Sequence, residues 1–137
     1  MKRLDKIMIG AGLLLLVASN QACADIVVIV SAQSTAPPLS LKQISRIFQG
    51  KSNLMTPVDI ARPARTRREF YTKVVGMDEA KAIALWSKLI FTGKVAAPRQ
   101  FPSGSEVVEA VAADPNLVGY VDSSFVNMTV KVIFTAK

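Results

Sequence analysis

An α/β sandwich, with a mixed or mostly parallel sheet flanked by helices, is the fold class this sequence predicts, and three observations predict it. The stretch Ile26-Val27-Val28-Ile29-Val30 is an unbroken β-branched run, the pattern of a strand buried on both faces and covered by helices on each side. Beyond it, segments of helical periodicity opened by capping residues alternate with short β-rich segments. Finally, the chain has 137 residues, and removal of a leader leaves enough for one compact core and too few for two.

The leader comes first. Lys2, Arg3 and Lys6 precede an apolar stretch at 7–18, and Ala22-Cys23-Ala24 follows with small residues flanking a cleavage position; this is the order of a secretory signal peptide. Its apolar core is well short of the roughly 20 residues that span a bilayer. The expectation is a signal peptide at 1–24, cleavage after Ala24, and a periplasmic domain at 25–137 with no stable membrane insertion after cleavage.

Residues 26–30 then form a central strand, and 31–38, small and proline-bearing, a loop. Ser40 opens a helix, with Gln43 completing a capping box, and Leu41, Ile44, Ile47 and Phe48 point inward. Gly50 takes the left-handed position that ends it. Residues 58–60 form a short strand, and the chain passes Pro63 into a helix that reaches about Val75 and stops at Gly76. Asp78 caps the next helix, in which Ile83, Trp86, Leu89 and Ile90 recur at helical spacing and face the core. Residues 95–102 make a proline-bearing connection. Ser103-Gly104-Ser105-Glu106 is a second capping box, opening a helix at 107–113, and Asp114-Pro115-Asn116 is a turn. Residues 118–121 and 130–134 read as two further strands.

Composition narrows the function. The single cysteine lies in the leader and there is no histidine, so the domain has no thiol nucleophile, no imidazole base and no ordinary zinc site. The carboxylates show no catalytic spacing, and no enzyme activity, cofactor or metal is expected. Losing the leader removes three basic residues and one acidic residue, so the net charge of +7 becomes +5, a balance that favours anionic partners. Export makes nucleic acid the least suitable of them.

Several segments, read in order, resemble the periplasmic phosphate-binding proteins of ABC transporters, the PstS-like proteins. These are Leu41-Lys42-Gln43-Ile44-Ser45-Arg46-Ile47-Phe48-Gln49-Gly50-Lys51, then 62–70, then Trp86 with Phe91-Thr92-Gly93-Lys94, then 105–115, then Val118-Gly119-Tyr120-Val121. The resemblance covers nearly all of the chain after the leader. It implies one lobe of a periplasmic-binding-protein-like fold that closes over phosphate, and the stretch that would supply the opposite lobe is missing from this chain. It also implies an arginine and, four residues on, a hydroxyl in a loop at a helix start. Arg62 and Thr66 match by spacing, although Pro63, Ala64, Arg65, Arg67 and Arg68 replace the family's glycine-rich surroundings. A register anchored on Arg67 and Phe70 instead puts Ala64 at the hydroxyl position.

The candidate anion site is therefore Arg62, Arg65, Thr66 and Arg67 at a helix start, where unpaired N–H groups and forked guanidinium donors favour an oxyanion. Arginines oppose the dipole there, so their crowding points to a compensating anion. The competing reading pairs them with Glu69, Asp59 and Asp78. Ser103 and Ser105 join the site if the two helix starts converge, and Ser31 joins it from the end of the first strand. Phe70, Trp86 and Tyr120 read as core. The expected function is non-catalytic binding of phosphate or a related oxyanion, weakly, in uptake or sensing. An envelope protein or a second copy of the chain is the candidate partner for the missing wall. The alternative is an envelope protein-interaction module that keeps the fold without the ligand.

Overall fold

The structure, a computed structural model, describes residues 25–137. The expected signal peptide lies outside the described residues. Among those described, no helix is long and apolar enough to cross a membrane.

The elements run β1 (Ile26–Ser31), α1 (Leu41–Phe48), β2 (Thr56–Ile60), α2 (Arg65–Phe70) continued by a π-helical turn (Tyr71–Val75), α3 (Glu79–Phe91), β3 (Arg99–Phe101), α4 (Gly104–Ala113), β4 (Leu117–Asp122) and β5 (Val130–Ala136). The five strands form one sheet in the order β3-β2-β4-β1-β5. It is mixed: β2 pairs parallel with β3 and β4, while β1 pairs antiparallel with β4 and β5.

Local signals account for most of these boundaries. Ser40 accepts from the Gln43 N–H at 3.1 Å while the Gln43 side chain accepts from the Ser40 N–H at 2.8 Å, a complete capping box. Asp78 caps α3 through the Lys81 N–H at 2.8 Å. Gly50 and Gly76 take φ values of 72° and 84° after their helices, conformations that a side chain would strain. β1 is buried at every position, as its β-branched run requires.

β4 shows how the layers are assembled, because neighbouring residues on a strand face opposite sides of the sheet. On one side, a Cβ at Gly119 would lie 2.9 Å from Val107 and 3.1 Å from Val111 of α4. On the other, Tyr120 stacks on Phe70 at 3.8 Å and meets Phe48 edge-on at 5.9 Å. So α4 covers one face, and α1 with α2 covers the other.

Three expectations are corrected. Residues 99–101 are a strand rather than loop: β3 exists because Arg99, Gln100 and Phe101 pair with Val58, Asp59 and Ile60, a partnership invisible in so short a polar segment. Leu41 is 43% exposed although its spacing puts it on the face of Ile44, Ile47 and Phe48, since it is the first residue of the helix, beside the cap. On α3 the buried side chains are Ala82 and Trp86, while Ile90 is exposed in the last turn.

Candidate anion-binding pole

The parallel pair β2–β3 brings two loops together. Ile60 is in register with Phe101, and the Ala61 N–H donates to the Phe101 carbonyl at 2.9 Å. The starts of α2 and α4 therefore leave the same end of the sheet. β4 also finishes there at Asp122, opposite Ile26. In open α/β sheets this end, beyond the carboxyl ends of the strands, is the favoured place for ligands.

Ser31 does not reach it. β1 runs antiparallel to β4, so the carboxyl end of β1 lies at the opposite pole, where its neighbour Val30 pairs with Val118 near the start of β4. Ser31 is fully buried; its hydroxyl donates to the Ala112 carbonyl at 3.2 Å and accepts from the Gln33 N–H at 3.1 Å. Its role is to tie the strand end to α4.

Arg67 is also displaced from the expected role. Its side chain is 4% exposed and forms ion pairs with Asp59 at 2.8 Å and Glu79 at 2.7 Å. It donates to the Ile60 carbonyl at 3.0 Å and lies over the Tyr71 ring. Of the carboxylates proposed to pair with the arginines, Asp59 takes Arg67 and Glu69 takes Arg65; Glu79 stands where Asp78 was expected, because Asp78 is occupied in capping α3. Burial alone would lower the Arg67 pKa, but Asp59, then the two phenols and Glu79, together hold it above its ordinary value. Asp59 in turn accepts from the hydroxyls of Tyr71, at 2.7 Å, and Tyr120. Burial, reinforced by Asp59, raises both phenols well above their ordinary range. This cluster fastens α2 to β2 and β4.

Sequence reasoning did not find the cluster as a unit. Its signal was Asp59, a charge inside the apolar run Val58-Asp59-Ile60, for which a buried strand must supply partners.

The remaining residues stay at the pole. Arg62 is exposed and lines a cavity of about 150 Å³ with Ser87, Ile90 and Gln100. Arg65 is 63% exposed and pairs with Glu69 at 2.5 Å, which holds the Glu69 carboxyl below its ordinary value. The Thr66 hydroxyl is 3.3 Å from Asp122 Oδ2. Ser103 caps α4 through the Glu106 N–H at 3.4 Å, and its hydroxyl is 3.1 Å from that of Ser105. At α2 the cap position is Ala64, and no side chain caps the helix. Among the described residues no cluster of His, Cys, Asp or Glu could hold a metal ion.

Together these features define an α/β domain with a basic helix start beyond the carboxyl ends of β2, β3 and β4. The sequence matches no protein-family model and no curated protein. Solved structures do match in fold. An ABC-type phosphate transport receptor from Vibrio cholerae superposes with a TM-score of 0.62 at 17% identity, over 80% of this chain and 45% of the receptor. A putative phosphate ABC transporter substrate-binding protein from Clostridium perfringens, with bound phosphate, gives 0.61 at 21% identity, over 80% and 44%. PstS from Borrelia burgdorferi gives 0.59 at 9%, over 80% and 46%. The chain thus spans less than half the length of each.

Proposed function

We propose that this chain is an exported, non-catalytic binding protein for phosphate or a similar oxyanion, made of a signal peptide at 1–24 and a single PstS-like lobe at 25–137. The observation that carries the reading is the contrast at the pole: α4 is capped by its own serine, whereas α2, with Ala64 at the cap position two residues after Arg62, has no side-chain cap. An oxyanion there gains main-chain N–H donors at the positive end of the helix, together with the Arg62 guanidinium. Thr66 contributes its hydroxyl by turning from Asp122, and Arg65 adds positive charge from the rim. Ser103 and Ser105 border the site from α4. Arg67 acts indirectly, by holding α2 in place.

The similarity to phosphate receptors supports the fold of such a site. Arg62 and Arg65 are exposed, so an anion at this helix start stays in contact with water and salt screens its partners, and binding by this domain is weak. A second copy or an envelope protein would complete the wall. Calorimetric titration with phosphate at low salt tests the reading: millimolar-range binding that weakens as salt rises, and that Arg62→Ala reduces, is the expected result. Absence of heat at low salt overturns it. Mass spectrometry of the protein expressed from its full sequence tests export, which requires a chain beginning at Asp25.

A further inference from the structure

We propose that a groove at the opposite pole, between the α1–β2 turn and the segment leading into β3, binds a medium-chain organic carboxylate. The open groove offers about 700 Å³, within the ~300–1,000 Å³ range of small-molecule sites. Its floor and walls are apolar, formed by Met55, Trp86, Pro98 and Leu117. Thr56 and Leu117 begin β2 and β4 and are in register, so the groove sits at the amino ends of these strands, and its Trp86 and Pro98 wall also backs the smaller cavity beside Arg62. The groove's cations, Lys51 and Arg99, are not those of the phosphate reading.

The charge of the rim selects the ligand. Lys51 and Arg99 line the groove and no acidic residue does. Both are exposed, and neither forms an ion pair with a described residue; Arg99 rests over the Phe101 ring at 4.9 Å. Arg65 and Arg67, by contrast, are each matched to carboxylates of the chain itself. An apolar wall offers nothing to a bare hydrated oxyanion, and an uncharged chain leaves both cations unused. A carboxylate with an alkyl tail satisfies both features. At about 30 Å³ per water-sized group the volume corresponds to roughly twenty heavy atoms, so an open groove accommodates decanoate with room for water. Trp86 is held for this role: its indole N–H donates to the Phe48 carbonyl at 2.9 Å, and the absence of a Cβ at Gly50 allows its ring to pack closely there.

Trp86 is the sole tryptophan and lines both the groove and the cavity beside Arg62, so its emission reports binding at either, calorimetry is the second measurement, and the Lys51 and Arg99 variant assigns the signal to the groove. The purified protein is titrated with sodium decanoate, sodium butyrate, 1-decanol and vesicles of anionic phospholipid. Saturable binding of decanoate is expected, with butyrate at least about tenfold weaker because each lost methylene removes apolar burial. Decanol should be weaker than decanoate, and added salt should narrow that gap. Lys51→Glu with Arg99→Glu, both at exposed positions, should weaken decanoate about tenfold and leave decanol unchanged. No saturable signal by either method at millimolar decanoate overturns the proposal. So does equal binding of decanol, or indifference to the double charge reversal. Response to vesicles in place of free decanoate would assign the groove to a membrane surface and overturn it equally.

Discussion

The starts of α2 and α4 lie side by side at one end of the sheet yet are built in opposite ways. α4 satisfies itself: Ser103 caps it, and Glu106 places negative charge in its first turn, where the helix dipole favours it. α2 has Ala64 at the cap, no acid in its first turn, and arginines at 65, 67 and 68. A helix that departs this far from the usual terminal chemistry must be held by something else. Here the anchor is buried, since Arg67 clamps the helix to Asp59 and Glu79. The four arginines of 62–68 are therefore not one patch: Arg67 is buried and anchors α2, whereas Arg62, Arg65 and Arg68 are exposed.

The most severe test of that division removes the anchor. Arg67→Ala leaves two carboxylates without their cation, one of them Asp59 at 2% exposure, and should cost about 3–5 kcal/mol in denaturant unfolding. Arg65→Ala, at an exposed i,i+4 pair, should change stability by no more than about 0.5 kcal/mol. Equal effects would erase the distinction between the two arginines.

Alkaline titration probes the same anchor. Tyr71 and Tyr120 have raised folded-state pKa values, so their contribution is complete below the unfolded value of about 10. It declines as pH rises above that value, because the unfolded phenols ionise while the folded ones retain their protons. Urea midpoints should fall above about pH 10, and less steeply in a Tyr71→Phe, Tyr120→Phe double variant. A flat wild-type profile up to pH 11 would count against a protonated, buried pair.

Ser103→Ala removes the α4 cap and should destabilise by about 1 kcal/mol, with phosphate affinity reduced only slightly, since the serine borders the proposed site.

The finest distinction comes from Ala64→Asp. Giving α2 the acidic cap it lacks should stabilise the protein by up to about 1 kcal/mol and abolish phosphate binding, because the carboxylate occupies the amides an anion would use. Gain of stability with phosphate affinity retained would place the ligand elsewhere.

The sequence by itself determined what depends on a few neighbouring residues. The capping box of Ser40 and Gln43, the Asp78 cap, the left-handed Gly50 and Gly76, and the buried run of β1 were all legible, because each is decided within one helical turn or along one strand. The helix start bearing Arg62, Arg65, Thr66 and Arg67 was legible for the same reason. Only the tertiary structure decided which of those side chains turn inward, that Ser31 lies at the far pole, and that the polar segment 99–101 becomes a strand. These depend on which strands pair, and in which direction: the reversal of β1 relative to β4 sends Ser31 away, and the parallel register of β2 with β3 sends the starts of α2 and α4 to the same end of the sheet. Arg67 is buried because Asp59, eight positions earlier, faces it across that packing, and a strand's direction and partner are set by contacts between residues far apart in the chain.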